Sequence, residues 1–227
     1  MAAQGPAVQV DNVSRRFGHR WVVRGVSMDV VPGEALMLVG GNGAGKTTLL
    51  RLMAGLLKPN RGTIHYSGAV GMVAHHTMMY DALTARENLT FFGRLHGLPR
   101  DGRVDRLIDL LGLTHARDQR IATYSRGMLQ RLAIARALLH EPDVLLLDEP
   151  LTGLDDAASH TVLDVIDELK RRGAALVIAS HQLVELIGAV ARVGYMVAGR
   201  LAALEPIAGL DAGGVVSRYR ELVAGDG

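Results

Sequence analysis

Cysteine is absent from the 227-residue chain, and so are long uninterrupted apolar runs. Without cysteine there is no disulfide framework and no thiolate metal site, which is typical of a protein in a reducing compartment. Apolar runs such as ALMLVG at residues 35–40 are much shorter than the roughly 20 residues that a membrane-spanning helix needs. The N-terminal segment lacks the basic start and apolar stretch of a secretory signal. If the protein works at a membrane, we expect another chain to cross it.

An excess of one sign of charge is also lacking. The 25 basic and 23 acidic residues leave a formal net charge of +2, and the basic residues are spread along the chain. A nucleic-acid-binding surface needs cations gathered on one face, so we expect no nucleic-acid partner. The composition does offer 48% apolar residues, enough to bury a sizeable core.

The order of apolar and polar segments predicts an α/β fold with a mostly parallel core sheet. After an N-terminal region of strands and turns, continuous apolar strands alternate with helical segments, which is typical of a parallel sheet covered on both faces. The pattern turns helical from about residue 85 to residue 139, which predicts a helical insertion. Further helices are predicted from the glycine-rich loop to residue 58, over residues 182–190 and near residues 215–222.

The stretch GGNGAGKTT, residues 40–48, satisfies the phosphate-loop pattern G-x-x-x-x-G-K-[ST] between an apolar strand and a helix. Glycines let backbone N–H groups wrap a diphosphate, and the helix N-terminus adds positive potential. Lys46 is expected to reach the outer phosphates, and Thr47 to offer its hydroxyl to Mg²⁺. The predicted nucleotide-binding residues of this loop are Gly40, Gly41, Asn42, Gly43, Ala44, Gly45, Lys46, Thr47 and Thr48.

Two carboxylates end the apolar strand in VLLLDEP, residues 144–150. Ligands of open α/β sheets bind at the carboxyl ends of the strands. Asp148 is therefore expected to hold Mg²⁺ through water, and Glu149 to orient or polarise the water that attacks the γ-phosphate. Read alone, Asp-Glu-Pro is also consistent with an ordinary strand end; the phosphate loop in the same chain favours the catalytic interpretation.

The turn within TYSRG, residues 123–127, precedes a helix that is predicted to run to Leu139. Ser125 is suited to cap that helix. A free hydroxyl, the amide of Gly127 and the helix dipole also suit a γ-phosphate. An ordinary cap on a core helix is the alternative.

Taken in order, GGNGAGKTT, YSRGMLQR, VLLLDEP, TGLD at residues 152–155 and VIASH at residues 177–181 resemble the ATP-binding subunits of ABC transporters over nearly the whole chain. The resemblance implies one P-loop ABC ATPase domain over residues 1–227, with a nucleotide-binding core at about 1–74 and 141–227, an N-terminal antiparallel β subdomain and a helical subdomain at about 75–140. It implies ATP and Mg²⁺ as cofactors. It also implies two partners: a second copy in a head-to-tail ATP sandwich, and integral membrane subunits at the cytoplasmic face of the cell membrane.

The same resemblance implies roles for five further residues. Ser125 and Gly127 would contact the nucleotide held by the second copy. His181 would contact the γ-phosphate and help to hold the attacking water, and Asp155 would belong to the loop that communicates across the dimer. Phe17, in RRFG, would stack on adenine, with a core or turn aromatic as the alternative.

The chain departs from the family pattern in two of these motifs. The usual LSGGQ has become YSRGM, with Tyr124, Arg126 and Met128 as replacements, and we expect Arg126 to face solvent. Gly41 stands where the family often has proline or serine, which should loosen the loop without removing a phosphate contact.

The cargo is the least determined feature. ARENLTFFGRLHGL, YSRGMLQRLAIARALLHEP and DEPLTGLD are similar to the ATP-binding subunits of the haem exporter used in cytochrome c maturation, and exporters of lipids, polysaccharides and drugs share much of this pattern. We therefore expect an export ATPase for haem, with another ABC exporter as the alternative. A soluble ABC-type protein of ribosomes or DNA is disfavoured by the lack of a second cassette, coiled coils or basic extensions. A regulatory module without hydrolysis is disfavoured by the presence of both carboxylates.

One replacement generates a pH prediction. Most family members carry a glutamine that senses Mg²⁺ and the γ-phosphate where this chain has His75 and His76; residue counting favours His75 as the metal-site residue, and the neighbouring pattern allows His76. If a neutral imidazole does this work, turnover should fall as the pH drops through about 6.5, where histidine protonates. The double variant His75→Gln, His76→Gln should lose that acidic decline. Identical pH–rate profiles for the two proteins would contradict the hypothesis.

Overall fold

The computed structural model describes residues 5–74 and 79–225. The strands in these ranges are β1 (Val8–Phe17), β2 (Arg20–Val30), β3 (Ala35–Val39), β4 (Arg61–Tyr66), β5 (Val70–Val73), β6 (Val144–Asp148), β7 (Ala175–Ala179), β8 (Arg192–Val197) and β9 (Arg200–Pro206). The α-helices are α1 (Lys46–Met53), α2 (Ala85–Leu95), α3 (Arg103–Leu110), α4 (Arg126–Leu138), α5 (Asp156–Arg171), α6 (Leu183–Leu186) and α7 (Ala212–Gly225). Three short 3-10 turns lie at Thr114–Ala116, Ile121–Thr123 and Ile187–Ala189.

The main sheet has the strand order β5-β6-β7-β3-β8-β9. All neighbouring pairs run parallel except β8 and β9, which form an antiparallel hairpin. Every residue of β3, β6 and β7 is buried, as expected for strands with helices or another sheet on both faces. The predicted α/β class with a mostly parallel sheet is confirmed.

A second sheet, of order β2-β1-β4, is antiparallel throughout and comes from the N-terminal third of the chain. This second sheet forms one apolar core together with α1 and one face of the main sheet. The opposite face of the main sheet packs against the remaining helices and forms a second apolar core. Strand β3 shows the division, because Leu36 and Leu38 enter the first core whereas Met37 and Val39 enter the second. The predicted antiparallel β region is confirmed.

Two helices differ from the prediction. Helix α1 ends at Met53 rather than near residue 58, because Gly55 adopts a left-handed conformation with φ of 70° and stops the helix. The predicted helix over residues 182–190 is reduced to α6 and one 3-10 turn, in a segment where Gly188 and the β-branched Ile187 and Val190 support a helix weakly.

The start of β3, the strand that leads into the phosphate loop, is fixed by a buried ion pair. Glu34 is 8% exposed, and its carboxylate accepts hydrogen bonds from Arg192 at the start of β8, one of them at 3.0 Å. Arg192 also donates to the backbone oxygen of Asp29 at 2.6 Å, so it connects β2 to the main sheet. The hydrogen bond with Glu34 raises the pKa of the Arg192 guanidinium, which therefore stays charged.

Arg192→Met should lower the free energy of unfolding by about 3 kcal/mol, because it leaves the Glu34 carboxylate buried without its cation. Arg171→Met is the matched control, since Arg171 also forms an ion pair but its side chain is 71% exposed; it should change stability by less than about 0.5 kcal/mol. Urea unfolding followed by circular dichroism measures both values. Equal effects of the two substitutions would show that the Glu34 pair has no special role.

Candidate active site

The phosphate loop connects β3 to α1 and presents the N-terminus of that helix. Gly45 is the N-cap residue, has a φ of 103° and provides no side-chain cap. Leu49 N donates to the Gly45 oxygen at 2.8 Å, as the first bond of the helix requires. The amides that precede Leu49 have no partner within the helix, so the positive end of α1 faces the loop. This arrangement favours a phosphate group.

Glycine is required in this loop for steric reasons. A Cβ on Gly40 would lie 2.4 Å from the Met196 backbone oxygen, and one on Gly45 would lie 2.6 Å from the Val22 oxygen. Gly43 has a φ of 77°, a conformation that side chains with a Cβ rarely adopt. The loop is therefore wrapped closely between β8 and β2. Gly41, which we expected to loosen the loop, donates a hydrogen bond through its N–H group to the Tyr219 hydroxyl.

Lys46, Thr47 and Asp148 come together although they are far apart in the sequence. Lys46 Nζ donates to the backbone oxygens of Gly40 at 2.6 Å and Gly41 at 3.3 Å. Burial lowers the pKa of Lys46, and the nearby Glu149 and Asp148 carboxylates oppose that shift. Thr47 Oγ1 donates to Asp148 Oδ1 at 3.1 Å. A hydroxyl next to a buried carboxylate supplies the oxygen ligands that Mg²⁺ prefers, so this pair fits the expected ion.

Glu149 lies just beyond β6 and is held by its neighbours. Its Oε2 accepts a hydrogen bond from Ser180 Oγ at 3.0 Å and lies 2.9 Å from His181 Nδ1. The side-chain amide of Gln130, on α4, donates to the backbone oxygen of Pro150 at 3.2 Å. Glu149 itself has a φ of 54°, a strained conformation for a residue other than glycine, which the surrounding contacts maintain.

The site is open on the histidine side. The His181 side chain is 72% exposed, whereas that of Glu149 is 22% exposed. A carboxylate at the edge of the site, with a histidine beside it, is placed to polarise a water molecule that arrives from solvent. The structure thus brings together the phosphate loop, the Asp148 and Glu149 carboxylates and the predicted histidine, His181.

The YSRGM segment at residues 124–128, called the signature turn from here on, leads into α4. Ser125 Oγ accepts from Met128 N at 3.2 Å, so Ser125 caps α4 as expected. Gly127 packs against the loop before α5, where an added Cβ would lie 3.3 Å from the Gly153 oxygen. Arg126 is exposed, also as expected. Among the described residues, no hydrogen bond joins this turn to the phosphate loop of the same chain.

The remaining predicted residues lie as follows. Asp155 caps α5, because its Oδ1 accepts from Ala158 N at 2.8 Å. Phe17 lies at the turn between β1 and β2 and is 47% exposed, which excludes the core alternative; the Arg15 guanidinium lies 4.9 Å from its ring centroid. The prediction for His75 concerns residues outside the described ranges.

Sequence reasoning missed Ser180 and Gln130, which contact Glu149. Ser180 directly precedes the predicted histidine in VIASH, so its position in the chain was a usable signal. Gln130 gave no signal, because its contacts with Glu149 and Pro150 depend on how α4 packs against the end of β6.

A carboxylate on a residue with a strained backbone, beside a glycine-rich phosphate loop in this α/β sheet, defines the site of a P-loop nucleotide hydrolase. Residues 23–152 match the family described as ABC transporter. The chain is 38% identical over 219 residues to YdbJ, an uncharacterized ABC transporter ATP-binding protein of Bacillus subtilis, covering 91% of this chain and 71% of that protein. It is 38% identical over 194 residues to Nod factor export ATP-binding protein I of Paraburkholderia xenovorans, covering 79% of this chain and 64% of that protein.

A solved structure of the ATP binding subunit of an ABC transporter has a TM-score of 0.86 and 27% identity, and the match covers 95% of this chain and 99% of that one. The chain therefore belongs to the ABC transporter family and is an ATP-binding subunit with ATPase activity. The predicted ABC ATPase fold is confirmed. Within residues 5–74 and 79–225, no helix has both the length and the apolar character needed to cross a membrane.

The Ser180–Glu149 contact generates a prediction. Ser180→Ala should lower kcat for ATP hydrolysis about tenfold, or roughly 1.4 kcal/mol, because the Glu149 carboxylate loses a donor that orients it. The KM for ATP should stay within about twofold, since the Ser180 hydroxyl contacts Glu149 and not the phosphate loop. Steady-state ATPase assays test this, with Ser67→Ala as control because Ser67 lies at the far antiparallel sheet. An unchanged kcat for Ser180→Ala would refute the role.

Proposed function

We propose that this chain is the motor subunit of an ABC exporter, which binds ATP with Mg²⁺ and hydrolyses it to drive separate membrane subunits. The observation that carries the proposal is the position of Glu149. Its carboxylate lies beside His181 at 2.9 Å, at the edge of a site that also contains Lys46 and the Thr47–Asp148 pair.

The chemistry follows from these residues. Lys46 and the amides at the N-terminus of α1 bind the outer phosphates, and Thr47 and Asp148 hold Mg²⁺, which neutralises charge on the phosphate oxygens when bound. Glu149 orients and polarises the attacking water, and the Ser180 hydroxyl keeps its carboxylate in place. His181 supplies a further polar contact toward the γ-phosphate.

A second copy of the chain completes each site in this proposal. The signature turn presents Ser125 and the N-terminus of α4 that it caps to solvent, and the first turn of that helix contains no acidic residue. A γ-phosphate held by another copy would find there a hydroxyl, the Gly127 amide and the positive end of a helix. The neighbouring Asp155 loop would then contact the partner as well. Differential affinity of ATP for the closed dimer supplies the work.

Membrane subunits are the second proposed partner, at the cytoplasmic face of the membrane. Exposed apolar side chains are suitable contacts for them, and the region of α2 offers an aromatic cluster. Tyr80 is 51% exposed and Phe91 is 37% exposed, and their ring centroids are 5.1 Å apart. Phe92 stacks on Tyr80 with ring centroids 6.2 Å apart, and it contacts Phe91 edge-on with centroids 5.4 Å apart. A preformed aromatic surface of this kind is typical of protein contacts.

The direction of transport and the cargo are the finer parts of the proposal. The relative named for Nod factor export supports export. Haem export for cytochrome c biogenesis stays a prediction that rests on the sequence similarity described first, and an exporter of another cargo is the alternative. The subunit need not contact the cargo, so its own residues bear on this choice only through the membrane partner that they select. The division into a core at about 1–74 and 141–227 and a helical subdomain at about 75–140 is likewise part of the proposal.

Glu149→Gln should reduce ATP turnover to near background while ATP binding is preserved and dimerisation is strengthened, because the amide cannot polarise water but leaves the phosphate contacts intact. Glu141→Gln is the matched control, since Glu141 is 71% exposed and lies before β6 rather than after it; its turnover should match wild type. ATPase assays and size-exclusion chromatography with ATP and Mg²⁺ measure these effects. Substantial hydrolysis by Glu149→Gln would remove Glu149 from the catalytic role.

The partner is identified by purifying tagged Glu149→Gln protein from its native cells with ATP and Mg²⁺ and analysing co-purifying proteins by mass spectrometry. Polytopic subunits of the haem-export type would support haem as cargo. A different permease would retain the export motor and overturn haem. Recovery of ribosomal or DNA-bound proteins alone would overturn the transporter proposal.

A further inference from the structure

The last helix of the chain contacts the phosphate loop directly. The Tyr219 hydroxyl, on α7, accepts a hydrogen bond from the Gly41 backbone N–H at 2.8 Å, across 178 residues of sequence. An added Cβ at position 41 would lie 3.0 Å from the hydroxyl oxygen, so a larger residue there would require the tyrosine side chain to shift. Proline at this position would have no N–H to donate.

The hydrogen bond adds a restraint to a residue whose backbone is intrinsically flexible. Glycine has the largest conformational freedom of any residue, and Gly41 is exposed in the second position of the loop. Its carbonyl is already engaged, because it accepts from Ala44 N at 3.1 Å and from Lys46 Nζ at 3.3 Å. The Tyr219 hydroxyl adds a restraint on the other side of the same residue.

Helix α7 is itself well fixed, so its tyrosine can act as an anchor. Val215 is fully buried against the main-sheet core, and Tyr219 packs against that core as well. Asp211 caps the first turn by accepting from Gly214 N at 2.7 Å. Arg218 donates to Glu205 on β9 at 2.8 Å, which joins the helix to the edge strand of the main sheet.

We propose that Tyr219 is a positioning residue for the phosphate loop, an inference that rests on the proposed nucleotide-binding function. Its hydroxyl holds Gly41 in the conformation that accepts the diphosphate of a nucleotide, and α7 thereby sets the affinity of the site. The physical reason is preorganisation: a loop that is already ordered loses less conformational entropy when the ligand binds.

Binding of MgADP measured by isothermal titration calorimetry tests the proposal without interference from hydrolysis. Tyr219→Phe removes only the hydroxyl, and it should raise the Kd for MgADP about three- to tenfold, the range expected for one hydrogen bond. The melting temperature of the nucleotide-free protein should stay the same within about 2 °C, because the ring still packs on the core. Tyr66→Phe is the control, since Tyr66 lies on β4 in the antiparallel sheet, and it should bind as wild type does.

Amide hydrogen exchange of the nucleotide-free protein supplies a second measurement. Peptides that contain residues 40–45 should exchange faster in Tyr219→Phe than in wild type or in Tyr66→Phe. An unchanged or tighter Kd for Tyr219→Phe, or unchanged exchange in this loop, would overturn the positioning role. Failure of the wild-type protein to bind MgADP would overturn the proposed function instead, and the exchange measurement would still test the contact between Tyr219 and the loop.

Discussion

The burial of β3 between two apolar cores is the constraint on which the rest of the site depends. Successive residues of this strand enter opposite cores, so both of its faces are covered, and its position is set by side-chain packing and by its hydrogen bonds to β7 and β8. Strand β3 runs parallel to β7, and β7 runs parallel to β6, so the loops that follow all three strands emerge at the same edge. The phosphate loop, Glu149 and His181 meet there for that reason.

Close contacts restrict the conformations of the phosphate loop and of Glu149 at this edge of the sheet. Gly40 and Gly45 allow the phosphate loop to lie directly against β8 and β2, where no side chain would fit. Glu149 adopts a strained backbone conformation that several hydrogen bonds maintain, among them those from Ser180 to its carboxylate and from Gln130 to the adjoining backbone. Rigid placement of charged and polar groups is what electrostatic catalysis requires, because the groups do not need to reorganise during the reaction.

The signature turn has a local structural explanation in addition to its proposed role toward a second copy. Ser125 and Asp155 each cap a helix, so their local structure alone explains why these residues are present. What the caps leave unexplained is the exposure of the α4 N-terminus, with Gly127 packed beside residues 153–154. A helix start with this composition, with no hydrogen bond to the phosphate loop among the described residues, supports the proposal that another copy completes the site.

The sequence by itself determined the features that rest on local patterns. Apolar strands and helical spacing predicted the α/β class, which is confirmed, and motif spacing predicted the phosphate loop, Asp148 and Glu149 as site residues and Ser125 as a helix cap. Local patterns were less reliable for helix ends, because the left-handed turn at Gly55 ends α1 early. Only the tertiary structure decided the contacts between distant residues, such as Thr47 with Asp148 across 101 positions and Gly41 with Tyr219 across 178. Such hydrogen bonds depend on how whole elements pack, and no periodicity in the chain encodes that packing.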